Sequence, residues 1–275
     1  MAHPYEGREE MKIGIVGCAG RMGRMLMNAV LDTEGCTLAG GTERPGSALV
    51  GQDLGGLLGR SPLGVAVGDE ARALFQAADA VIDFTAPAAT IAHAALAAEL
   101  GKVLVVGTTG LSADDEARLR AAAAKTTVIY APNFSVGVTL LMALTERAAT
   151  ILGDDYDIEI VEMHHRHKVD APSGTALGLG RSAAKGRAVA LDQVWCKSRD
   201  GHTGARPKGE IGFATLRGGD VVGDHTVMFA AEGERIELTH KASSRAVFAK
   251  GAVRAACWAK GQKPGLYSMR EVLGL

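Results

Sequence analysis

The sequence predicts an α/β fold: a doubly wound domain on a parallel sheet, followed by a second α+β domain with a mixed sheet. Three observations carry that prediction. Short apolar runs alternate with longer helical patterns through the first half, and a glycine-rich turn separates the first run from the first helical pattern. Beyond residue 134 the texture shifts to strands in which apolar and polar residues alternate. Alternating β and α stretches build a parallel sheet covered by helices, whereas alternation within a strand marks a sheet with one solvated face.

Residues 1–10 are polar and acidic, lack the basic-then-apolar layout of a signal peptide, and are expected to be a loose leader. From residue 11, apolar runs at 12–16, 37–40, 80–84, 103–106 and 127–130 are expected as parallel strands. Between them, 21–31, 87–100 and 113–125 carry helix punctuation. Pro87 suits a first helical turn, Gly101 the left-handed residue after a helix end, and Ser112 an N-cap. A helix over 138–152 leads to the alternating strand 157–162. Further strands are expected at 210–217, 226–230 and 235–239, with Gly218 and Gly219 as a turn. A small-residue helix at 246–259 is expected to pack back on the first domain. The expected domains are therefore 11–134 with 242–275, which binds the cofactor, and 135–241, for substrate binding and oligomerisation.

Composition narrows the function classes. At 275 residues the chain exceeds the ~100 to 200 of a typical domain. Hydrophobic residues at 47% and charged residues at 22% are ordinary for a globular protein, while 36 glycines and 4% aromatics point to tight turns and close helix packing. A net charge of −1 supplies no field for nucleic acid or an anionic membrane, so small molecules are the expected partners. Cys18, Cys36, Cys196 and Cys257 show no Cys-x-x-Cys spacing and read as reduced thiols of a cytoplasmic protein. No run approaches the ~18 consecutive apolar residues of a membrane helix.

Ligands of an open parallel sheet bind at the carboxyl ends of its strands. Here those ends are Gly17 onward, Phe84 to Pro87, Gly107 to Gly110 and Ala131 to Phe134, and they are expected to line one crevice. The first reads Gly17-Cys18-Ala19-Gly20-Arg21-Met22-Gly23 between strand and helix. Glycines permit a tight turn there and let a pyrophosphate approach backbone N–H groups, which marks a Rossmann-type dinucleotide-binding domain. The spacing, G-x-x-G-x-x-G in place of G-x-G-x-x-G, also fits a glycine turn that serves only packing. Glu43, 20 residues beyond Gly23, can accept from the adenosine ribose hydroxyls, which favours NADH. Arg44 can pair with the 2′-phosphate of NADPH, so both cofactors stay open.

A second feature is the run His164-His165-Arg166-His167-Lys168. Such a cluster repels itself unless an anionic ligand sits beside it. Ser173 can cap a helix whose Gly174 and Thr175 N–H groups add another anion-binding element. A histidine titrates near neutrality, and a lysine among cations can have its pKa lowered enough to donate a proton. A metal on His164, His165 and His167 is disfavoured, because adjacent residues of an extended segment do not converge easily on one ion; no metal is expected. A solvated basic loop is the alternative without function.

In this order, the glycine loop, Gly107-Thr108-Thr109-Gly110, Ala131-Pro132-Asn133-Phe134-Ser135 and the segment His164 to Thr175 give a sequence that closely resembles the 4-hydroxy-tetrahydrodipicolinate reductase (dihydrodipicolinate reductase) family. The resemblance runs from Met11 to Leu275. It implies NADH- or NADPH-dependent reduction of the cyclic imine dicarboxylate made from pyruvate and aspartate semialdehyde, with loss of water, on the diaminopimelate route to lysine. By matching motif it implies cofactor contacts at Gly17, Cys18, Ala19, Gly20, Arg21, Met22 and Glu43, with Arg44 available to NADPH. Gly107, Thr108, Thr109, Ala131, Pro132, Asn133 and Phe134 would surround the nicotinamide. His164 would be proton donor or acceptor, Lys168 a proton donor, and His165, Gly174 and Thr175 would hold a substrate carboxylate. A homotetramer assembled through the second domain's sheet, with hinge closure over substrate, is implied as well. Another NAD(P)-dependent reductase of a small carboxylate, or a non-catalytic dinucleotide sensor, are the competing readings, although a sensor has little need of His164 and Lys168.

Overall fold

The computed structural model describes residues 10–275, so the leader expected at 1–10 lies, but for Glu10, outside the described residues. The chain runs β1 (Met11–Val16), α1 (Arg21–Leu31), β2 (Cys36–Thr42), α2 (Leu54–Leu58), β3 (Val67–Gly68) and α3 (Ala71–Ala77). It continues with β4 (Ala80–Asp83), α4 (Pro87–Leu100), β5 (Val103–Val106), α5 (Ala113–Ala123) and β6 (Thr127–Tyr130). Next come α6 (Val136–Leu152), β7 (Asp157–His164), α7 (Gly174–Gly186), α8 (Leu191–Val194), β8 (Trp195–Cys196), β9 (Ile211–Arg217), β10 (Gly223–Ala231) and β11 (Glu234–Ala242). It closes with α9 (Ala246–Ala259), β12 (Gly265–Tyr267) and α10 (Met269–Leu273). Two compact units result: one ends at Ser135 and is rejoined by Ala246–Leu275, and the other is Val136–Arg245. Ala242, expected in the first domain, ends β11 in the second unit.

The first unit is a parallel sheet in the order β12-β6-β5-β4-β1-β2-β3. β1 lies inside it, so Ile13, Ile15 and Val16 are all buried and the strand reads as a continuous apolar run. Leu26, Met27 and Val30 form the buried face of α1, which packs on α9. The helix punctuation acts as its chemistry dictates. Pro87 opens α4, Gly101 closes it in the left-handed region at φ 63°, and Ser112 caps α5 in a reciprocal box with Asp115. The strand expected to reach Phe84 stops at Asp83, and the helix expected to reach Lys125 stops at Ala123.

The second unit is a mixed sheet in the order β11-β10-β7-β9-β8, with β7 parallel to β9 and antiparallel to β10. α6 and α7 cover one face. On that face Ile158, Ile160, Phe213, Val227 and Phe229 pack with Leu179 and Ala183 of α7. At the carboxyl end of β7 the same face turns polar: Glu162 stands opposite His225, which stands opposite His240. This polar end of an otherwise apolar layer is where the second unit's own candidate site begins.

Residues Val136–Asp155 have a mean hydropathy of 1.4 and are long and apolar enough to cross a membrane, a feature that counting consecutive apolar residues does not reveal. Within the unit, Leu141 and Ala149 of this stretch join the core, and Glu146 pairs with Lys185 of α7 at 2.8 Å.

Candidate active site

The first unit has a candidate cofactor site of its own, built on the turn after β1. Gly17 adopts φ 66°, a conformation favouring glycine, and its carbonyl accepts from the Gly20 N–H at 3.2 Å. A Cβ on Gly23 would lie 2.2 Å from the Gly17 oxygen, so this position admits no side chain without opening the turn. Gly20 precedes α1 without a side-chain cap, and the first turn of α1 has no acidic residue. The positive end of the helix is thereby kept for an anion. Glu43, just past β2, accepts from the Ala19 N–H at 2.8 Å, which sets its carboxylate against the loop. Arg44 beside it is exposed. These features fit a dinucleotide, with the pyrophosphate at the turn and Glu43 by the ribose.

Cys18 contributes shape instead of surface. It is fully buried, its N–H is donated to the Thr42 carbonyl, and its thiol sits where a Cβ on Gly41 would collide. Burial, reinforced by Glu43, pushes the thiol up to about 11, so it stays neutral.

The ends of β4 and β5 are tied to each other and to α4 by a buried carboxylate that sequence reasoning did not single out. Asp83 accepts from the Thr85 N–H at 2.9 Å and the Thr85 hydroxyl at 2.6 Å, and its second oxygen meets His93 Nδ1 at 2.8 Å. Thr108 reaches the same carboxylate at 3.3 Å and accepts from Thr90 at 2.7 Å. Burial alone would raise the Asp83 carboxyl, but His93 and Thr85 outweigh it and hold it below the ordinary range. Gly107 lies so near the Phe84 ring that a Cβ would approach within 2.2 Å, and Phe84 packs on Phe134 at 5.5 Å. Of the expected nicotinamide contacts, Thr109 and Pro132 are exposed and Asn133 is half-buried, whereas Gly107, Thr108, Ala131 and Phe134 are buried behind them.

In the second unit β7 continues two residues beyond its expected end, and this separates His164 from its basic neighbours. As the last residue of the strand, His164 turns into the buried face with Glu162, two positions earlier. Its Nδ1 lies 2.5 Å from Glu162 Oε2. Glu162 also accepts from both terminal nitrogens of Arg217, at 2.8 and 3.1 Å, and from the Ser173 N–H at 3.0 Å. Burial would raise this carboxyl, yet Arg217, His164 and Ser173 together lower it. His225 stacks edge-on against His164 at 5.1 Å, and its Nε2 lies 3.1 Å from the Ser173 hydroxyl. Burial first, and His164 second, push His225 down to about 4, so it is neutral at pH 7.

The loop that follows is less cationic than its composition suggests. Lys168 is not left among cations; its ammonium donates to both oxygens of Asp170, at 2.7 and 2.9 Å. His165, with Arg245 3.4 Å from its Nε2, is pushed down by desolvation and by that guanidinium. His167 and Arg166 are exposed. Arg217 donates to the Asp170 carbonyl at 2.6 Å and so anchors the loop to the Glu162 carboxylate. Ser173 caps α7 by accepting from the Ala176 N–H, leaving Gly174 and Thr175 in the first helical turn. The arrangement combines a carboxylate-held imidazole, a paired ammonium and a helix N-terminus, a set suited to binding an acid and moving a proton.

Glu162, Arg217 and His225 were missed because their partners are brought together by sheet register. One signal was available: strand alternation places Glu162 and His164 on one face.

Two family models cover the chain, "Dihydrodipicolinate reductase, N-terminus" over residues 11–134 and "Dihydrodipicolinate reductase, C-terminus" over residues 137–273. A relative from Afipia carboxidovorans named 4-hydroxy-tetrahydrodipicolinate reductase is 55% identical over 266 residues, which is 97% of this chain and 98% of its own. One of the same name from Rhizobium meliloti is 56% identical over 267 residues, with the same coverage of both chains. A solved structure of dihydrodipicolinate reductase from Paenisporosarcina sp. TG-14, with dipicolinate bound, superposes with a TM-score of 0.74 at 25% identity. It covers 95% of this chain and 98% of its own. With both halves matched and full-length relatives above half identity, the chain belongs to the dihydrodipicolinate reductase family.

Proposed function

We propose that the protein reduces 4-hydroxy-tetrahydrodipicolinate to tetrahydrodipicolinate with NADH or NADPH, with loss of water, in the diaminopimelate route to lysine. The observation that carries this is the 55 to 56% identity, along nearly the whole chain, to relatives bearing that reaction in their name. Gly17, Ala19, Gly20, Arg21, Met22 and Glu43 would hold the reduced dinucleotide, whose chemistry is hydride donation. The residues of the chain then have two tasks, to hold a dicarboxylate and to deliver one proton.

The first falls to the start of α7, where Gly174 and Thr175 lie at the positive end of the helix, and to neutral His165, which can donate a hydrogen bond without carrying charge. The second falls to His164 and Lys168. Both side chains are held by carboxylates, Glu162 and Asp170, so each is oriented before substrate arrives. Loss of water from the 4-hydroxy compound would leave a conjugated imine that gains negative charge on reduction, and a positioned donor meeting that charge as it forms would lower the barrier. Lys168 is the donor and His164 the donor or acceptor in this reading.

Assembly as a cytoplasmic homotetramer through the second unit's sheet belongs to the same reading. Its support is that the two helices cover one face of that sheet, while Leu216 lies on the other and is 49% exposed. His164→Ala and Lys168→Ala are expected to lower turnover by roughly 100-fold or more while NADPH affinity changes less than about two-fold. Wild-type turnover in either variant would remove that residue from the proton path.

A further inference from the structure

The buried carboxylate of Glu162 holds His164 in the proposed reaction, and the donors that surround it determine which nitrogen of that ring carries the proton. Glu162 is 1% exposed, and four donors converge on its two oxygens. Three come from Arg217 on β9 and from Ser173 at the head of α7, so the carboxylate is fixed from two elements before it meets the imidazole. An ionised carboxylate only accepts hydrogen bonds, and Arg217 with its companions keeps this one ionised against burial. The ring nitrogen 2.5 Å away must therefore carry a proton. The far edge of the ring is shaped as well: a Cβ on Gly223 would lie 2.9 Å from His164 Nε2, and only a glycine leaves that nitrogen unobstructed on this side.

We propose that Glu162 is the positioning residue for His164, locking the ring proton on Nδ1 and so presenting Nε2 as the nitrogen that exchanges a proton with substrate. The inference rests on the reading of His164 as the proton-transferring group. Glu162 touches no reacting atom in this account; it acts through the imidazole, as the buried carboxylate of a nucleophile-base-carboxylate arrangement does. The titratable and charged groups around the ring include Glu162 on its own strand, His165 next to it, Arg217 on β9, His225 on β10 with His240 across from it on β11, and the Lys168–Asp170 pair in the loop. Only Glu162 among them bonds to the ring nitrogen.

A purely structural Glu162 would anchor the loop through Arg217 and leave the imidazole indifferent to its charge. The two cases separate in the full-length wild-type protein labelled with 15N-histidine. His164 is assigned by the signal lost in His164→Gln, and its neutral ring is expected as the Nδ1–H tautomer with a bare Nε2. An Nε2–H tautomer would overturn the proposal without any variant of Glu162 having to fold. In Glu162→Gln the tautomer preference should be lost and kcat should drop by roughly 100-fold. KM for NADPH should stay within about two-fold. A folded Glu162→Gln whose turnover and tautomer match the wild type would refute the positioning role. Wild-type turnover in His164→Gln would instead refute the reading of His164, and the tautomer measurement keeps the two failures apart.

Discussion

His225 gives the chain a calculable sensitivity to acid. Its ring is buried between β7 and β11, faces His164, Glu162, His240 and Lys168, and is pushed from 6.5 down to about 4. In the unfolded chain it takes up a proton near 6.5, and in the folded chain only near 4. Between those values the unfolded state binds more protons, so stability rises with pH. The contribution is fully present above about 6.5 and is lost as pH falls toward 4. Integrated, the loss amounts to about 2 kcal/mol by pH 5 and about 3 kcal/mol by pH 4. His225→Gln keeps an amide within reach of Ser173 but has nothing to titrate. The low-lying carboxyls of Asp83 and Glu162 also weaken the fold as they protonate, but they do so in both proteins and cancel in the comparison. Urea unfolding of both proteins at intervals from pH 7.5 to about pH 4.5 reads the difference directly. The wild type should lose stability faster than the variant by about 2 kcal/mol on reaching pH 5. Parallel curves would mean that His225 is not held neutral by its surroundings, and the account of this histidine cluster would fail.

Two further outcomes follow from the first unit. Gly23→Ala places a Cβ 2.2 Å from the Gly17 oxygen and must open the turn, so NADPH affinity measured by fluorescence titration should fall at least about ten-fold; an unchanged affinity would mean that the turn is not the pyrophosphate site. Arg44→Ala removes an exposed cation next to Glu43 and should weaken NADPH binding more than NADH binding, whereas equal losses would show that Arg44 does not read the 2′-phosphate.

The long periodic elements were legible because burial on both faces or on one stripe writes itself into the sequence. α1, α4 and α9 have the bounds that spacing and capping residues indicate, and β5 and β6 those of their apolar runs. The short elements α2, β3, α3, β8, β12 and α10 were not legible. A two-residue ladder such as β3 has no period to detect, and β12 exists only because β6 offers it an edge. The glycine loop could be read because its chemistry is local in sequence. The histidine cluster could not, since His225 lies far along the chain from Glu162 and His164 and meets them only through antiparallel register. Composition misled about Lys168 for a related reason: Asp170, two residues on, folds back to pair with it. Asp83 carried a readable hint, a carboxylate closing an otherwise apolar run. Only the fold shows that it binds Thr85 and Thr108 from neighbouring loops.

The central claim is that this chain is a reductase of a cyclic imine dicarboxylate, and its most direct test is catalytic. The purified full-length protein is supplied with NADPH or NADH while the imine precursor is generated in situ from pyruvate and aspartate semialdehyde, and the loss of reduced-nicotinamide absorbance is followed. The expected result is oxidation that requires the precursor, scales with enzyme, and falls to near background in His164→Ala. No oxidation above background with either cofactor would contradict it.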